Sequence, residues 1–389
     1  MDFVTFEKRY LRATKRFSHW AGIWPDQNKC GKCIAWILIY LEMVSITVVQ
    51  IARIVHFKNM DVFLDNLTLL SADITLFIKH GNYILNATEF KWLLKGMYQD
   101  WTDNRSDHEI AIMTKYVKRG ALLTMFYLAN AVVCTILFLQ VPWTVRLIAK
   151  LKSYNTTPMI YIVPTYYFVD EADIFYVAQL HGSLAIISVL IVYGACDTIF
   201  TIIVQHACAL LAVAGYRFKH IEPSSSNAAK NSEKQMTRIE RVHFSIQAQQ
   251  RAIKYVEEIE NTHATYLFLC IGLVVCCFSV TLVQVVTMDV NVEFYKVCSF
   301  LIAQLMHLFY LTIQGQFVEN GCDNLYNSIY KGLWYNANAK TQLLYVLALR
   351  RMLKPIRLTA GGLLNMNMQS FSEVKCDTVC TKWIVFSYI

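Results

Sequence analysis

Charge is what this 389-residue chain has least of. Asp, Glu, Lys and Arg make up 16% of it, against about 25% in soluble domains. Proline is scarce, with 6 residues, and glycine contributes only 14. The shortage of charge, with 56% hydrophobic residues, excludes a disordered chain, which needs the opposite balance. It also excludes an ordinary water-soluble globule. Few Pro and Gly exclude collagen-like and linker-rich chains. What remains is an all-α membrane protein in one polytopic domain.

A bilayer core takes about 20 mostly apolar residues as helix. Residues 120–145, 261–288 and 297–318 hold no Asp, Glu, Lys or Arg. Residues 33–55 are apolar around Glu42 and Arg53, and 66–85 carry Asp73, Lys79 and His80. The run 174–216 is interrupted only by Asp197. At about 1.5 Å per residue it is far too long for one crossing. A seventh segment, 365–389, contains Lys375, Asp377 and Lys382.

Cytoplasmic loops are enriched in Lys and Arg. Counting 174–216 as one crossing, four alternate segments hold seven, seven, eight and six basic residues: the start through Lys32, Lys79 to Arg119, Arg217 to Lys254, and Lys331 to Arg357. The opposite side holds six. Splitting 174–216 would place the cluster of eight outside. The expectation is therefore seven transmembrane helices, N-terminus cytoplasmic and C-terminus extracellular. No secretory signal is read in the charged, aromatic first 32 residues.

The expected organisation is a cytoplasmic segment 1–32, spans one to four in 33–216, a cytoplasmic loop and helix 217–260, spans five and six in 261–318, a cytoplasmic anchor region 319–364, and a last helix 365–389. Ile239, Val242, Ile246, Ile253 and Val256 recur at helical spacing. Helices four, five and six are expected to continue beyond the membrane and pack there; a solvated amphipathic linker is the other reading.

An internal N-terminus argues against a metabotropic seven-span receptor, as does the lack of Asp-Arg-Tyr after span three and Asn-Pro-x-x-Tyr in span seven. Transporters show internal repeats and Gly/Pro-broken helices. No repeat is seen, and the prolines are read as lying outside the spans. No catalytic constellation stands out, so no enzyme is expected. Cys30 and Cys33 form a single C-x-x-C without a second pair, so neither metal nor cofactor is expected. Nothing points to nucleic acid.

The last third carries a resemblance. Gly315-Gln316, Trp334-Tyr335, Arg350-Arg351, Lys354-Pro355, Leu358-Thr359-Ala360-Gly361 and Ser370-Phe371-Ser372 resemble the C-terminal signature of insect odorant receptors. Tyr167-Phe168-Val169-Asp170, Asp197-Thr198 and His206-Ala207-Cys208 are similar to the ant, bee and wasp branch. The resemblance implies a ligand-gated, non-selective cation channel in the plasma membrane. It implies a hetero-tetramer with the odorant receptor coreceptor, one seventh helix per subunit lining the pore, and a small volatile or cuticular apolar ligand. A gustatory-type receptor channel is the nearest alternative.

The implied pocket lies in the outer half, among spans two, three, four and six. The outer halves of spans two, three and four are about 66–77, 130–141 and 176–187. The candidate ligand residues there are Asp73, Ile74, Phe77, Asn130, Cys134, Phe138, Leu180, Ser183 and Leu184. Ile74/Phe77, Cys134/Phe138 and Leu180/Leu184 each share a helix face, which suits a pocket, lipid or a neighbouring helix, with simple packing the plainer reading for any one residue. Asp73, Asn130, Gln179, His181 and Ser183 are costly against lipid, so they orient a ligand or bond between helices. The aromatic loop 143–175 either lids the pocket or packs on the bundle, and Asn155-Thr156-Thr157 is a glycosylation sequon.

The resemblance assigns Trp334, Tyr335 and Tyr345 to the subunit anchor. Aligned without a gap, Ile384 falls at the pore's hydrophobic gate and Ser387 near its mouth. After Val374 the likeness weakens. Lys375, Asp377 and Lys382 either line a wet pore or oppose insertion.

Overall fold

The computed structural model describes residues 10–103, 105–151, 160–169, 171–221, 237–290, 292–332, 334–354 and 356–373. The architecture is almost wholly helical. In chain order come α1 (Arg12–Trp20), α2 (Lys29–Phe57), α3 (Met60–Leu85), α4 (Ala87–Thr102), α5 (Asp107–Leu151), α6 (Glu171–Lys219), α7 (Arg238–Thr287) and α8 (Val292–Tyr330). A short 3₁₀ turn (Trp334–Asn336), α9 (Ala339–Met352) and a two-stranded hairpin, β1 (Thr359–Ala360) and β2 (Leu364–Asn365), follow. A further helical turn begins at residue 368.

Local chemistry sets several boundaries. Thr237 caps α7: its hydroxyl accepts from the Glu240 amide at 3.4 Å, while the Glu240 carboxylate accepts from the Thr237 amide at 2.7 Å. This reciprocal box satisfies two amides that would otherwise lack partners. Asn338 caps α9 through the Thr341 amide at 2.9 Å. Between β1 and β2, Gly361 and Gly362 adopt φ of 65° and 74°, the left-handed region that residues with a Cβ enter at a cost. The Gly361 amide donates to the Ala264 carbonyl of α7 at 2.9 Å, pinning the hairpin to that helix.

The overlong apolar run is one unbroken helix, α6. It packs against α1, α2, α3, α4, α5, α7 and α8. Every residue from 194 to 211 is buried, as expected of a helix apolar on all sides. Among the described residues, five helices, α2, α5, α6, α7 and α8, are long and apolar enough to cross a membrane. α3 spans 26 residues but carries Asp65, Asp73 and Lys79, which dilute its hydropathy. α2 presents Ile34, Leu38, Leu41, Val44, Val48, Ile51 and Val55 outward, all about half exposed or more. A stripe of that kind suits contact with lipid.

Three readings need correction. Pro142 lies inside α5 rather than beyond it. Lys79, counted with the basic loop residues, is fully buried. Its ammonium pairs with Asp197, so α3 and α6 hold opposite charges that compensate one another. The segment from 365, expected as continuous helix, begins as strand and turns helical only at 368.

Where α4 hands over to α5, a second polar cluster forms. Asp100 accepts from Arg105 and Arg251, each at 3.1 Å, and lies 3.1 Å from His206 Nε2. Burial alone would raise the Asp100 carboxyl, but His206 and Arg251 hold it below its ordinary value. Arg217 of α6 grips Glu109 of α5 through both carboxylate oxygens, at 2.5 and 3.1 Å.

Candidate functional site

Between α2, α3, α5, α6, α7 and α8 lies a cavity of about 200 Å³. Its walls are mostly apolar or aromatic, including Phe138, Ile186, Val189, Leu190, Val274 and Phe300. A few polar groups interrupt them. Asp73 of α3 is 5% exposed, and its Oδ2 accepts from Gln50 Nε2 of α2 at 3.0 Å. Gln304 and His307 of α8 share a face at i, i+3.

One end of the cavity rests on a buried ionic cluster. Tyr127 donates to Asp197 Oδ2 at 2.5 Å, and His307 Nε2 lies 3.2 Å from the same oxygen. Lys79 Nζ lies 2.9 Å from His307 Nε2 and 4.7 Å from the centre of the Tyr193 ring. Tyr127, Tyr193 and His307 thus face the cavity, with the Lys79–Asp197 pair behind them.

The loop before α6 covers the other end. Val163 is buried and lines the cavity. The Gln179 side chain holds this loop by donating to the Ile160 carbonyl at 2.7 Å and accepting from the Ile162 amide at 3.1 Å. Lys296 of α8 donates to the carbonyls of Tyr161 and Ile162 at 3.2 and 2.9 Å. Tyr166 stacks on His56 at 4.1 Å. Beside the loop is a second, more polar cavity of about 280 Å³, lined by Arg53, Asp65, Gln284 and Lys296 among others. Leu69, Phe138 and Phe300 border both cavities, and the two rings sit 6.2 Å apart.

Of the candidate residues, Asp73, Asn130, Cys134 and Phe138 line the first cavity. Ile74, Leu180 and Leu184 face outward, at 45%, 63% and 45% exposure. Phe77 stacks on Tyr40 at 5.7 Å, and the Ser183 hydroxyl donates to the Gln179 carbonyl at 2.6 Å. The cavity face of α6 is instead Ala185, Ile186, Val189, Leu190 and Tyr193. At about 100° per residue, that stripe is centred roughly 170° around the helix from the Leu180/Leu184 stripe, on nearly the opposite face. Sequence reasoning did not reach Gln50, Gln304 or His307. Their signal was polarity inside charge-free or nearly charge-free spans.

Of the expected anchor residues, Tyr345 is 1% exposed and packs 5.9 Å from Phe218. It is a core residue of this chain, with no surface to offer a second subunit. Trp334 is half-buried against the core, and Tyr335 is 61% exposed. Asn155, Ile384 and Ser387 lie outside the described residues.

The C-terminal motifs form a bracket. Gly315 lets the backbone of Met366 approach α8 closely; a Cβ there would sit 1.8 Å from the Met366 carbonyl oxygen. Gln316 Oε1 accepts from the Met368 amide at 3.1 Å. Thr359 donates its amide and its hydroxyl to Glu260 of α7. Asn367 caps the last helical turn through the Ser370 amide at 2.9 Å, and Phe371 packs on Phe309.

The sequence profile of the 7tm Odorant receptor family matches residues 59–375. Two solved structures are similar in fold. Insect olfactory receptor OR5 from Machilis hrabei in complex with eugenol has a TM-score of 0.81 at 11% identity, with 100% of each chain covered. A second structure of that receptor has a TM-score of 0.79 at 12% identity, with 99% of each chain covered. Identity this low speaks for the fold alone. The profile spans most of the length and includes every cavity helix except α2, together with the C-terminal bracket: the chain belongs to the 7tm odorant receptor family of membrane proteins.

Proposed function

We propose that this chain is the ligand-binding subunit of an odorant-gated, non-selective cation channel, and that its ligand occupies the cavity containing Asp73 and Phe138. The supporting observation is that cavity: six helices enclose an apolar space with a few polar groups, the usual composition of a small-molecule site. Its volume, about 200 Å³, suits a small volatile better than a long cuticular hydrocarbon. The relative from Machilis hrabei was solved with eugenol, a compact aromatic odorant. Family membership supports assembly with the odorant receptor coreceptor in the plasma membrane, N-terminus cytosolic, with the segment that turns helical at 368 leading into the pore helix.

Co-expression with the coreceptor and current recording across a panel of small odorants tests this. A ligand-evoked cation current requiring both subunits is expected. A response that needs a G protein and no coreceptor, or saturable uptake without conductance, overturns it.

A further inference from the structure

The polar groups on the α2–α3 side of the cavity are sorted by role. Lining hydroxyls direct their protons into the protein. Ser71 donates to the Thr68 carbonyl at 2.7 Å and Thr75 to the Ser71 carbonyl at 2.7 Å. Two lining hydroxyls from other helices do the same: Tyr193 of α6 donates to the Ala72 carbonyl at 3.2 Å, and Tyr127 of α5 donates to Asp197. Gln50 is 1% exposed and turns its amide nitrogen to Asp73. Asp73 Oδ2 accepts from that nitrogen, which leaves Gln50 Oε1 buried without a partner. Among the described residues no basic side chain pairs with Asp73; the buried Lys79 is held by Asp197.

This side of the cavity is therefore rich in acceptors and poor in free donors. A buried acceptor without a donor costs free energy until something supplies one. Asn130 and Thr135 of α5 supply an amide and a hydroxyl from a different helix.

Resting on the reading of this cavity as the odorant site, we infer that the receptor selects small apolar molecules bearing a proton-donating head, a hydroxyl or an ammonium, which donates to the Asp73–Gln50 pair. Ethers, esters, ketones and hydrocarbons of the same size carry no such proton. They leave the acceptors unpaired, so the site rejects them. Leaving a buried acceptor unsatisfied costs about 1–3 kcal/mol, which corresponds to a preference of roughly fivefold to a hundredfold.

The test uses hexanol, hexylamine and pentyl methyl ether, which have equal numbers of heavy atoms. Thermal stabilisation of the purified receptor in nanodiscs is read alongside currents from the receptor with its coreceptor. At least one of hexanol and hexylamine is expected to act at concentrations at least about fivefold lower than the ether. In Asp73→Leu the preference disappears. In Asp73→Asn it persists for a hydroxyl ligand and vanishes for an ammonium one, which separates the two heads. If Asp73→Leu does not fold, the three ligands on the native receptor still decide. Equal stabilisation by ether and donors, or none by either donor, overturns the inference. Donor-selective stabilisation without current upholds it and removes the channel reading. Currents of equal potency for ether and donors do the reverse.

Discussion

The two halves of α6 are alike in composition and opposite in surroundings. From Phe175 to Tyr193 the helix alternates buried side chains with outward ones such as Tyr176, Val177 and Leu180, and one face borders the cavity. From residue 194 onward burial is continuous through 211. Small residues occur in both halves: Ala178, Gly182, Ser183 and Ala185 in the first, and Gly194, Ala195, Cys196, Ala207, Cys208 and Ala209 in the second. Gly194 lets Phe17 and Leu128 approach closely, as small residues do where membrane helices pack tightly. Neither hydrophobicity nor residue size alone decides which half is solid.

The comparison breaks most readily in the solid half. Lys79→Ala leaves the buried Asp197 with only Tyr127 and His307 and without its ammonium partner, a defect worth about 3–5 kcal/mol in comparable buried pairs. Loss of surface expression and of cooperative thermal unfolding is expected, and Lys79→Met with Asp197→Leu should recover much of it. Wild-type expression of Lys79→Ala would show that the pair is dispensable. Next in size is Gly315→Ala, whose methyl collides with the Met366 backbone. The segment after β2 must move, which limited proteolysis should register as new cleavage near residues 360–370, with little change in cleavage elsewhere.

In the open half the expected effect falls on ligand and not on fold. Ala185→Trp fills cavity space, so the ligand concentration for half-maximal current should rise at least tenfold at unchanged surface expression. Leu184→Ala, one residue away on the outward face, should stay within about twofold. Equal effects of the two would remove the assignment of this face. The smallest effect concerns Asp100. Its carboxyl is held below its ordinary value in the fold, so its contribution is complete above the unfolded-state value and is lost as pH falls through the folded one. Asp100→Asn should lower the melting temperature at pH 7, and the gap to wild type should close under strongly acid conditions.

Much of the helical framework was legible because span length and charge spacing are coarse properties of the chain. The length of α6 followed from the parity of the basic segments. Asp73, Asn130, Cys134 and Phe138 could be placed by depth and polarity. Helix rotation could not be read. The Leu180/Leu184 stripe is as apolar as the Ile186/Leu190 stripe, and with lipid on one side and a cavity on the other, hydrophobicity does not distinguish them. Lys79 shows the reverse failure: a basic residue at a span boundary reads as a loop charge until Asp197 is seen beside it. The hairpin at Thr359–Asn365 escaped because strands of two residues leave no periodicity; the adjacent Gly361-Gly362 was its only mark.

One helix touches both ends of this molecule's business. α8 lends Gln304 and His307 to the cavity, and about 12 Å further along (about 1.5 Å per residue) its Gly315 and Gln316 clasp Met366 and Met368. No loop intervenes, so the two contacts share one lever arm. A guest that favours one setting of that arm moves the clasp. By reciprocity, anything that shifts the clasp changes the guest's affinity by the same factor.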